Sequence, residues 1–458
     1  MLFSWFMEDL TYGFSSLPNP VLNNRSFRVF TGNTLGGTSS INGMQFSIPI
    51  KRTVEKWGIE GLTTASSKKF FQRVIDQIGV AVPEGNLRHK YVRNYINAAR
   101  KAGFSESVDL WDDSNSRSIS ENRLTVDPNG FRRDSCTAYL SPTIKDKCKT
   151  NLRLVQDATV TRILLSKSRP QRAFGVDYVH SNDTQMSYPK RILARKEVIV
   201  CAGPFGSPKL LQVSGIGPAH VLRKAGVKVR VALPVGRRCQ AKTVTPVDMK
   251  YTGAPLEPSM NSTLVNSEEE LRKFKSGRGG LLGITPSFAT GKDNRNGFIS
   301  ANGHTFPTVF DRNALGAACS NNVRSFGYYQ IRDKNPFSTP DVQLALLTNQ
   351  DDLRRVIKCL KGVKDTFQNF APLFKSSIEN PVGGEITEEW VRRTAVWNGH
   401  FVGGCPVGDV LRGDLTVRKM RQLRVVDASS LRRMPLSAGP MGSVYMIAEY
   451  MAEVIART

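Results

Sequence analysis

Residues 196–217 read KEVIVCAGPFGSPKLLQVSGIG and form the clearest structural unit of the chain. The run from Lys196 to Cys201 is rich in apolar β-formers, which is typical of a buried strand. Ala202-Gly203-Pro204 breaks the run, and Ser207-Pro208 then predicts the start of a helix, because Pro is favoured in a first helical turn. Ser214-Gly215 predicts its end. A strand that turns through small residues into a helix is how α/β proteins approach a nucleotide, so this unit favours an α/β fold with a nucleotide site.

The carboxy-terminal part repeats this pattern. Leu423 to Val426 predicts a short strand, closed by Asp427-Ala428-Ser429. After Gly439-Pro440, the apolar spacing predicts a helix from Met441 to Ala456. Other predicted elements are a helical region over 66–104, strands over 152–154, 160–165, 173–179 and 342–347, and a helix over 352–370. The Gly-, Ser- and Asn-rich residues 240–320 carry no assignment.

Length and composition indicate a globular chain of two or three domains. The 458 residues are 40% hydrophobic and 22% charged, and no apolar run reaches the roughly 18 residues that a membrane span needs. Seven cysteines include no CxxC pair, so no metal site is expected. Their odd number leaves at least one free thiol, and the redox compartment stays open.

The charge is strongly positive, with 64 Lys and Arg against 39 Asp and Glu, a net +25. Such a surface suits nucleic acid, anionic membranes or polyanionic substrates. The alternative is a merely solvated basic surface. The charge is spread along the chain, and its short clusters at Arg132-Arg133, Arg237-Arg238 and Arg432-Arg433 do not alternate with aromatic residues. The solvated surface is therefore favoured, and no specific nucleic-acid partner is expected.

Three segments, taken in order, resemble one family. They are GNTLGGTSSINGMQF (Gly32 to Phe46), GPFGSPKLLQVSGIG (Gly203 to Gly217), and HFVGGCPVG (His400 to Gly408) followed by LRVVDAS (Leu423 to Ser429). The first two resemble the two signatures of the glucose–methanol–choline (GMC) oxidoreductases, and the third resembles their carboxy-terminal active-site block. The motif style is most similar to the mandelonitrile-lyase-like branch.

The resemblance implies an α/β chain with a Rossmann-like FAD-binding domain and a second α+β substrate domain of sheet and helices. It assigns residues 1–62, 125–240 and 401–458 to the first domain and residues 63–124 and 241–400 to the second. It further implies oxidation of the CH–OH group of a small alcohol, with hydride passing to flavin N5. His400 is then the catalytic base, because an imidazole has a pKa near working pH. Nothing in the sequence predicts the oligomeric state.

The resemblance also implies a set of FAD contacts. Gly36-Gly37 permits main chain to approach a flat ligand, and Ile41 stands where relatives with covalent flavin carry His, so the FAD should be noncovalent. Val160 can equally be an ordinary buried strand residue, and Asp427 can simply cap its turn. The implied FAD-binding residues are Thr38, Asn42, Gly43, Gln45, Val160, Ala202, Gly203, Asp427 and Ala428.

Three departures from the family pattern create alternatives. No GxGxxG occurs, so the amino-terminal unit that holds the adenosine part of FAD is expected to be missing. Gly439 stands where relatives have a second catalytic His or Asn. Arg237 to Lys242 (RRCQAK) replaces the usual Asn-Leu-Gln-Asp-His run, with only the Gln kept. The alternatives are a hydroxynitrile-lyase-like enzyme with structural FAD, and an inactive basic remnant with a binding or structural role.

Overall fold

The computed structural model describes residues 8–84, 92–107, 117–142, 151–251, 268–276, 287–293, 297–302, 314–370, 376–380 and 385–457. Its α-helices are α1 Arg52–Glu55, α2 Thr64–Ile78, α3 Val92–Lys101, α4 Gly203–Val213, α5 Ala219–Lys224, α6 Glu268–Lys275, α7 Gln350–Phe370, α8 Glu388–Thr394 and α9 Met441–Ala456. Among the described residues, no helix is both long and apolar enough to cross a membrane.

The strands fall into one large sheet and several small ones. They are β1 Thr11–Ser15, β2 Arg28–Gly32, β3 Gln45–Phe46, β4 Ser105–Glu106, β5 Arg117–Glu121, β6 Arg123–Leu124, β7 Ala158–Leu165, β8 Gln171–His180, β9 Lys190–Leu193, β10 Val198–Val200, β11 Ile216–Gly217, β12 Val231–Ala232, β13 Arg237–Tyr251, β14 Ser287–Asp293, β15 Gly297–Asn302, β16 Ala314–Asn321, β17 Tyr328–Gln330, β18 Asp341–Gln343, β19 Ser376–Asn380, β20 Val396–Gly404, β21 Met420–Arg421 and β22 Leu423–Val425.

The large sheet has the order β19-β13-β16-β15-β14-β5-β4, and β20 also pairs with β13. All its pairs are antiparallel except β4 with β5. Helices α3 and α7 pack together against this sheet, and Tyr95 contacts Phe367 and Phe370 in their shared core. A disulfide between Cys319 of β16 and Cys359 of α7 joins the helix to the sheet.

A second core surrounds a parallel pair of strands. Strand β10 pairs with β22, with Val198 opposite Leu423. Helices α4 and α9 supply Leu211, Met446 and Ile447 to this core, and α2 adds two phenylalanines that pack beside them. The strand–turn–helix units of the sequence therefore lie side by side, and their turns face the same end of the strands.

Most predicted elements of these units are confirmed. Helix α9 has both of its predicted bounds, and β10 and β22 lie within their predicted ranges. Helix α4 begins at Gly203, four residues before the predicted Ser207, and Gly203 makes the sharp turn out of the strand with a φ of 78°, which favours glycine. The elements predicted over 160–165, 173–179 and 352–370 are β7, β8 and α7.

Three predictions are wrong in whole or in part, and one region held structure that was not assigned. The strand predicted over 342–347 forms only at its start, because β18 ends at Gln343. The helical region over 66–104 is not continuous, because α2 ends at Gly79, whose φ is 74°; residues 85–91 lie outside the described residues. No strand forms over 152–154, where Leu152 and Leu154 are exposed. Residues 240–320 contain most of β13 and all of β14 and β15 of the large sheet. The predicted bounds of the two domains stay a prediction.

Candidate active site

His400 lies on β20, and a bulge sets its position. Ala241 of β13 pairs with Phe401, but Thr243 pairs with Trp397, so one residue of β13, Lys242, stands opposite three of β20. Gly399 adopts a φ of 71° within this bulge, which favours glycine. The extra residues push His400 out of the regular ladder toward the start of α9.

The His400 ring lies against backbone. Its Nε2 is 2.9 Å from the point where a Cβ on Gly439 would stand, and its Nδ1 is 3.3 Å from the side-chain amide nitrogen of Asn398. A side chain at position 439 would therefore require the ring to move. The absence of that side chain is part of how His400 fits here.

Lys242 is the second titratable group of this site. Its side chain is fully buried, and its ammonium donates to the carbonyl oxygens of Ser437 and, at 3.5 Å, Ala438, the two residues before Gly439. The ammonium also lies 5.0 Å from the centroid of the Phe298 ring. In the part of the chain that the structure describes, no carboxylate pairs with it. Burial without a counter-charge lowers the pKa of Lys242 from 10.5 to about 7.

The charge of Lys242 affects the pKa of His400. Burial, and then the charge of Lys242, lowers the pKa of His400 from 6.5 to about 3. The imidazole is therefore neutral at pH 7, with nitrogen lone-pair capacity to accept a proton. A positive charge beside it favours an anion in the same space over an imidazolium.

The first signature loop reaches the same place. The Asn42 amide donates to the Met441 sulfur at 2.9 Å, and its oxygen accepts from the Met44 amide and from Arg132 at 2.8 Å. The Gly439 amide donates to the Ser47 hydroxyl at 3.4 Å. The structure thus brings the segment with Asn42 and Gly43, His400 and the start of α9 together. Gln45 contacts Asn122 and Thr290 of the large sheet, whereas Thr38 bonds within its own loop to Thr31.

A second group of predicted residues meets where β10 and β22 end. The Asp427 carboxylate accepts from the Gly203 amide at 2.9 Å, from the Ser429 amide at 2.8 Å, and from the hydroxyls of Ser207 and Ser429. Burial raises the pKa of Asp427, and these bonds oppose the shift. The side chain is thus fully engaged in tying the two turns together. Any contact to a cofactor at this point would fall to the backbone of Ala202, Gly203, Asp427 and Ala428.

Val160 differs from one of its two expected environments, that of a buried strand residue. It pairs with Tyr178 in β7–β8, but its side chain is 36% exposed, so it is not an ordinary buried strand residue. The hydrogen bonds and pairs of the described residues do not connect it to either group above. Ile199 of β10 is exposed as well, which corrects the expectation of a fully buried strand.

The glycine-lined backbone and the start of α9 fit a flat cofactor that carries phosphate groups. A Cβ added to Gly37, Gly43 or Gly203 would meet no described atom within 4 Å, so the backbone there is open to a ligand. The 16-residue helix α9 begins beside His400, and the positive end of its dipole favours negative charge there. FAD supplies a planar ring and a pyrophosphate of that kind.

Family models identify the chain. Residues 10–244 match the amino-terminal model of the GMC oxidoreductases, and residues 323–448 match the carboxy-terminal model. The chain belongs to the GMC oxidoreductase family. Family membership makes it an FAD-dependent enzyme that oxidises alcohol-type donors, and the predictions of fold class, enzyme class and cofactor are confirmed.

Individual relatives agree with this GMC assignment. The oxygen-dependent choline dehydrogenase of Brucella anthropi is 26% identical over 471 residues, covering 93% of this chain and 82% of the relative. That of Photobacterium profundum is 26% identical over 499 residues, covering 98% and 83%. Formate oxidase of Aspergillus oryzae superposes with a TM-score of 0.84 at 19% identity over 98% of this chain and 88% of its own. A fungal aryl-alcohol oxidase gives 0.82 at 17% identity, over 98% and 89%.

Sequence reasoning missed the role of Lys242. The run RRCQAK was interpreted only as a changed loop. The available signal was a lysine at the end of that run, in the place where the family pattern has a His. The direction in which the Lys242 side chain points depends on the β13–β20 bulge, which joins residues far apart in sequence.

Proposed function

We propose that this GMC oxidoreductase oxidises the CH–OH group of a small alcohol with His400 as the base. The observation that supports this most is the position of the His400 ring at the start of α9, beside the first signature loop. When bound, FAD supplies the hydride acceptor. His400 takes the hydroxyl proton as the carbon–hydrogen bond breaks, and the side-chain amide of Asn398 lies 3.3 Å from its Nδ1.

Lys242 is proposed to take the second catalytic role, which no side chain at Gly439 can fill. Its ammonium is anchored on the carbonyl oxygens of Ser437 and Ala438, next to His400, whose pKa is lowered first by burial and then by the Lys242 charge. An alkoxide forming next to the imidazole is stabilised by that charge in a dry environment.

The FAD is proposed to be noncovalent, since the side chain at position 41 is a buried isoleucine with no nucleophilic atom. The residues proposed to hold it are Thr38, Asn42, Gly43, Gln45, Val160, Ala202, Gly203, Asp427 and Ala428.

The test is alcohol oxidation by the purified chain at known flavin content. Choline and benzyl alcohol are suitable first substrates, given the relatives. His400→Ala should lower kcat by about 10²–10⁴-fold while FAD content is kept, because a positioned base contributes that much. His220, which is exposed on α5, provides the matched control, and His220→Ala should leave kcat unchanged. Equal activity of wild type and His400→Ala at equal flavin content would exclude His400 as the base.

One finer prediction depends on a separate measurement. Similarity to the mandelonitrile-lyase-like branch predicts cyanide release from mandelonitrile, and its absence under conditions where alcohol is oxidised rules that activity out.

A further inference from the structure

Two arginine pairs that are far apart in the sequence meet on the folded surface. Arg237-Arg238 begins β13, and Arg432-Arg433 follows the turn after β22. Phe326 lies between them: its ring centroid is 5.6 Å from the Arg238 guanidinium and 5.0 Å from that of Arg433. No aromatic residue stands near either pair along the chain, so only the fold supplies one.

A fifth arginine joins this group, and few carboxylates offset it. Arg324 pairs with Asp351, which also contacts Arg354 at 3.6 Å. Arg238 pairs with Asp409 at 3.0 Å. In the described ranges, no ion pair involves the remaining three arginines of the group, Arg237, Arg432 and Arg433.

The like charges act on one another. Burial, then the charges of Arg238, Arg432 and Arg324, lowers the pKa of the Arg433 guanidinium. Packing five cations around only two carboxylates destabilises the fold, and a bound anion reduces that repulsion.

A cavity opens at the same place. It has a volume of about 390 Å³ and is lined by Arg237, Arg238, Tyr328, Gln330 and Asp409, together with Pro234 and Gly327. Small-molecule pockets generally occupy about 300–1,000 Å³. Two arginines of the group, Arg237 and Arg238, therefore line a space of ligand size.

We propose that this arginine cluster, defined as Arg237, Arg238, Arg324, Arg432 and Arg433, binds a small, multiply charged phosphate compound in the adjoining cavity. Guanidinium forks match phosphate oxygens in pairs, and stacking on Phe326 holds two of the forks in place. The ring is in contact with arginines and the cluster is compact, which favours a small ligand over a nucleic-acid strand that needs free aromatic faces along a groove.

This site shares no residue with the His400 site, so its test is independent of oxidation. The probe is inorganic pyrophosphate, titrated calorimetrically into the full chain, as purified, at low ionic strength. Arg237→Gln/Arg238→Gln should weaken binding by about tenfold or more, because both side chains line the cavity and a hydrogen bond to a charged group contributes roughly 1.5–3 kcal/mol. The matched control is Arg153→Gln/Arg223→Gln, which removes the same charge at exposed positions outside the cluster.

Support requires saturable binding that weakens in the cluster variant and stays within about twofold in the control, with raised salt weakening it in all proteins. Equal weakening in both variants would show that net charge alone attracts the anion, and the proposal fails. It also fails if pyrophosphate does not bind, or if a nucleic-acid oligomer binds through these arginines while pyrophosphate does not.

Discussion

At the scale of single residues, Lys242 is the most unusual group in the molecule. A fully buried ammonium with two carbonyl acceptors and an aromatic ring, but no described carboxylate, destabilises the folded state in its charged form. Its folded pKa of about 7 is below its ordinary value of 10.5. Between these two values the unfolded chain binds more protons, so the stability of the wild type should rise as the pH rises from about 7 toward 10.5.

Lys242→Met should therefore stabilise the fold and impair the reaction. We expect the free energy of unfolding near pH 7 to increase by roughly 1–4 kcal/mol, as when other buried charges are replaced by apolar groups. Melting temperatures of both proteins at about pH 7 and about pH 10 check this, since the gap should narrow at the higher pH. Lys228→Met, at an exposed lysine, is the control. A variant with unchanged kcat would remove Lys242 from the catalytic proposal, whatever its stability.

At the scale of elements, Asp427 connects the two strand–turn–helix units. Its carboxylate accepts four hydrogen bonds, two of them from the start of α4 and two from the turn after β22. The backbone positions proposed for FAD lie in these same turns. Their geometry therefore depends on one side chain that has no direct role toward the cofactor.

Asp427→Asn should loosen this connection. An amide keeps one oxygen acceptor but presents an NH₂ group to donors on the other side, which costs about 1–3 kcal/mol for the unsatisfied groups. We expect a lower melting temperature and a lower flavin content. Asp365→Asn, at an exposed aspartate of α7, should change neither. If Asp427→Asn bound FAD like the wild type, the tie between the turns would not be needed for the cofactor.

The sequence predicted these units well because their signals are local. The apolar stripe of α9 and the Gly203 and Gly439-Pro440 breaks lie within a few residues of the elements they define. The family resemblance implied a second domain with a sheet, but the sequence did not reveal its strands, because β13 buries Gln240, Lys242, Thr243, Thr245 and Asp248, and polar residues at inward positions conceal a strand's alternation. The position of Lys242 in the site could not be predicted either, because the bulge depends on pairing across more than 150 residues.

At the scale of the whole molecule, the bridge between Cys319 and Cys359 is the one covalent cross-link in the described parts of the chain. It joins α7 to the centre of the large sheet across 40 residues. The described cysteines 136, 201, 239 and 405 are free thiols, which agrees with the expectation of at least one, and Cys148 lies outside the described residues.

Removing the bridge should destabilise the large sheet and the helix α7 that packs on it. Closing a loop of this length restricts the unfolded chain, and native disulfides typically contribute about 2–4 kcal/mol. Cys359→Ser should lower the melting temperature, and a reducing agent should lower that of the wild type to the same value without further effect on the variant. Cys136→Ser is the control, since Cys136 is free. Identical melting of wild type with and without reductant would show that the bridge does not form in solution.

Strand β13 has a consequence for anyone who engineers this protein. It begins with two arginines of the surface cluster, passes Lys242 through the bulge opposite His400, and ends in the middle of the large sheet. Side chains alternate between faces along a strand, so deleting one residue after Arg238 would turn each following side chain to the opposite face. Libraries that vary length should therefore target the loops. Libraries across 237–244 should vary composition only, with positions 238 and 242 changed together with their neighbours on β20.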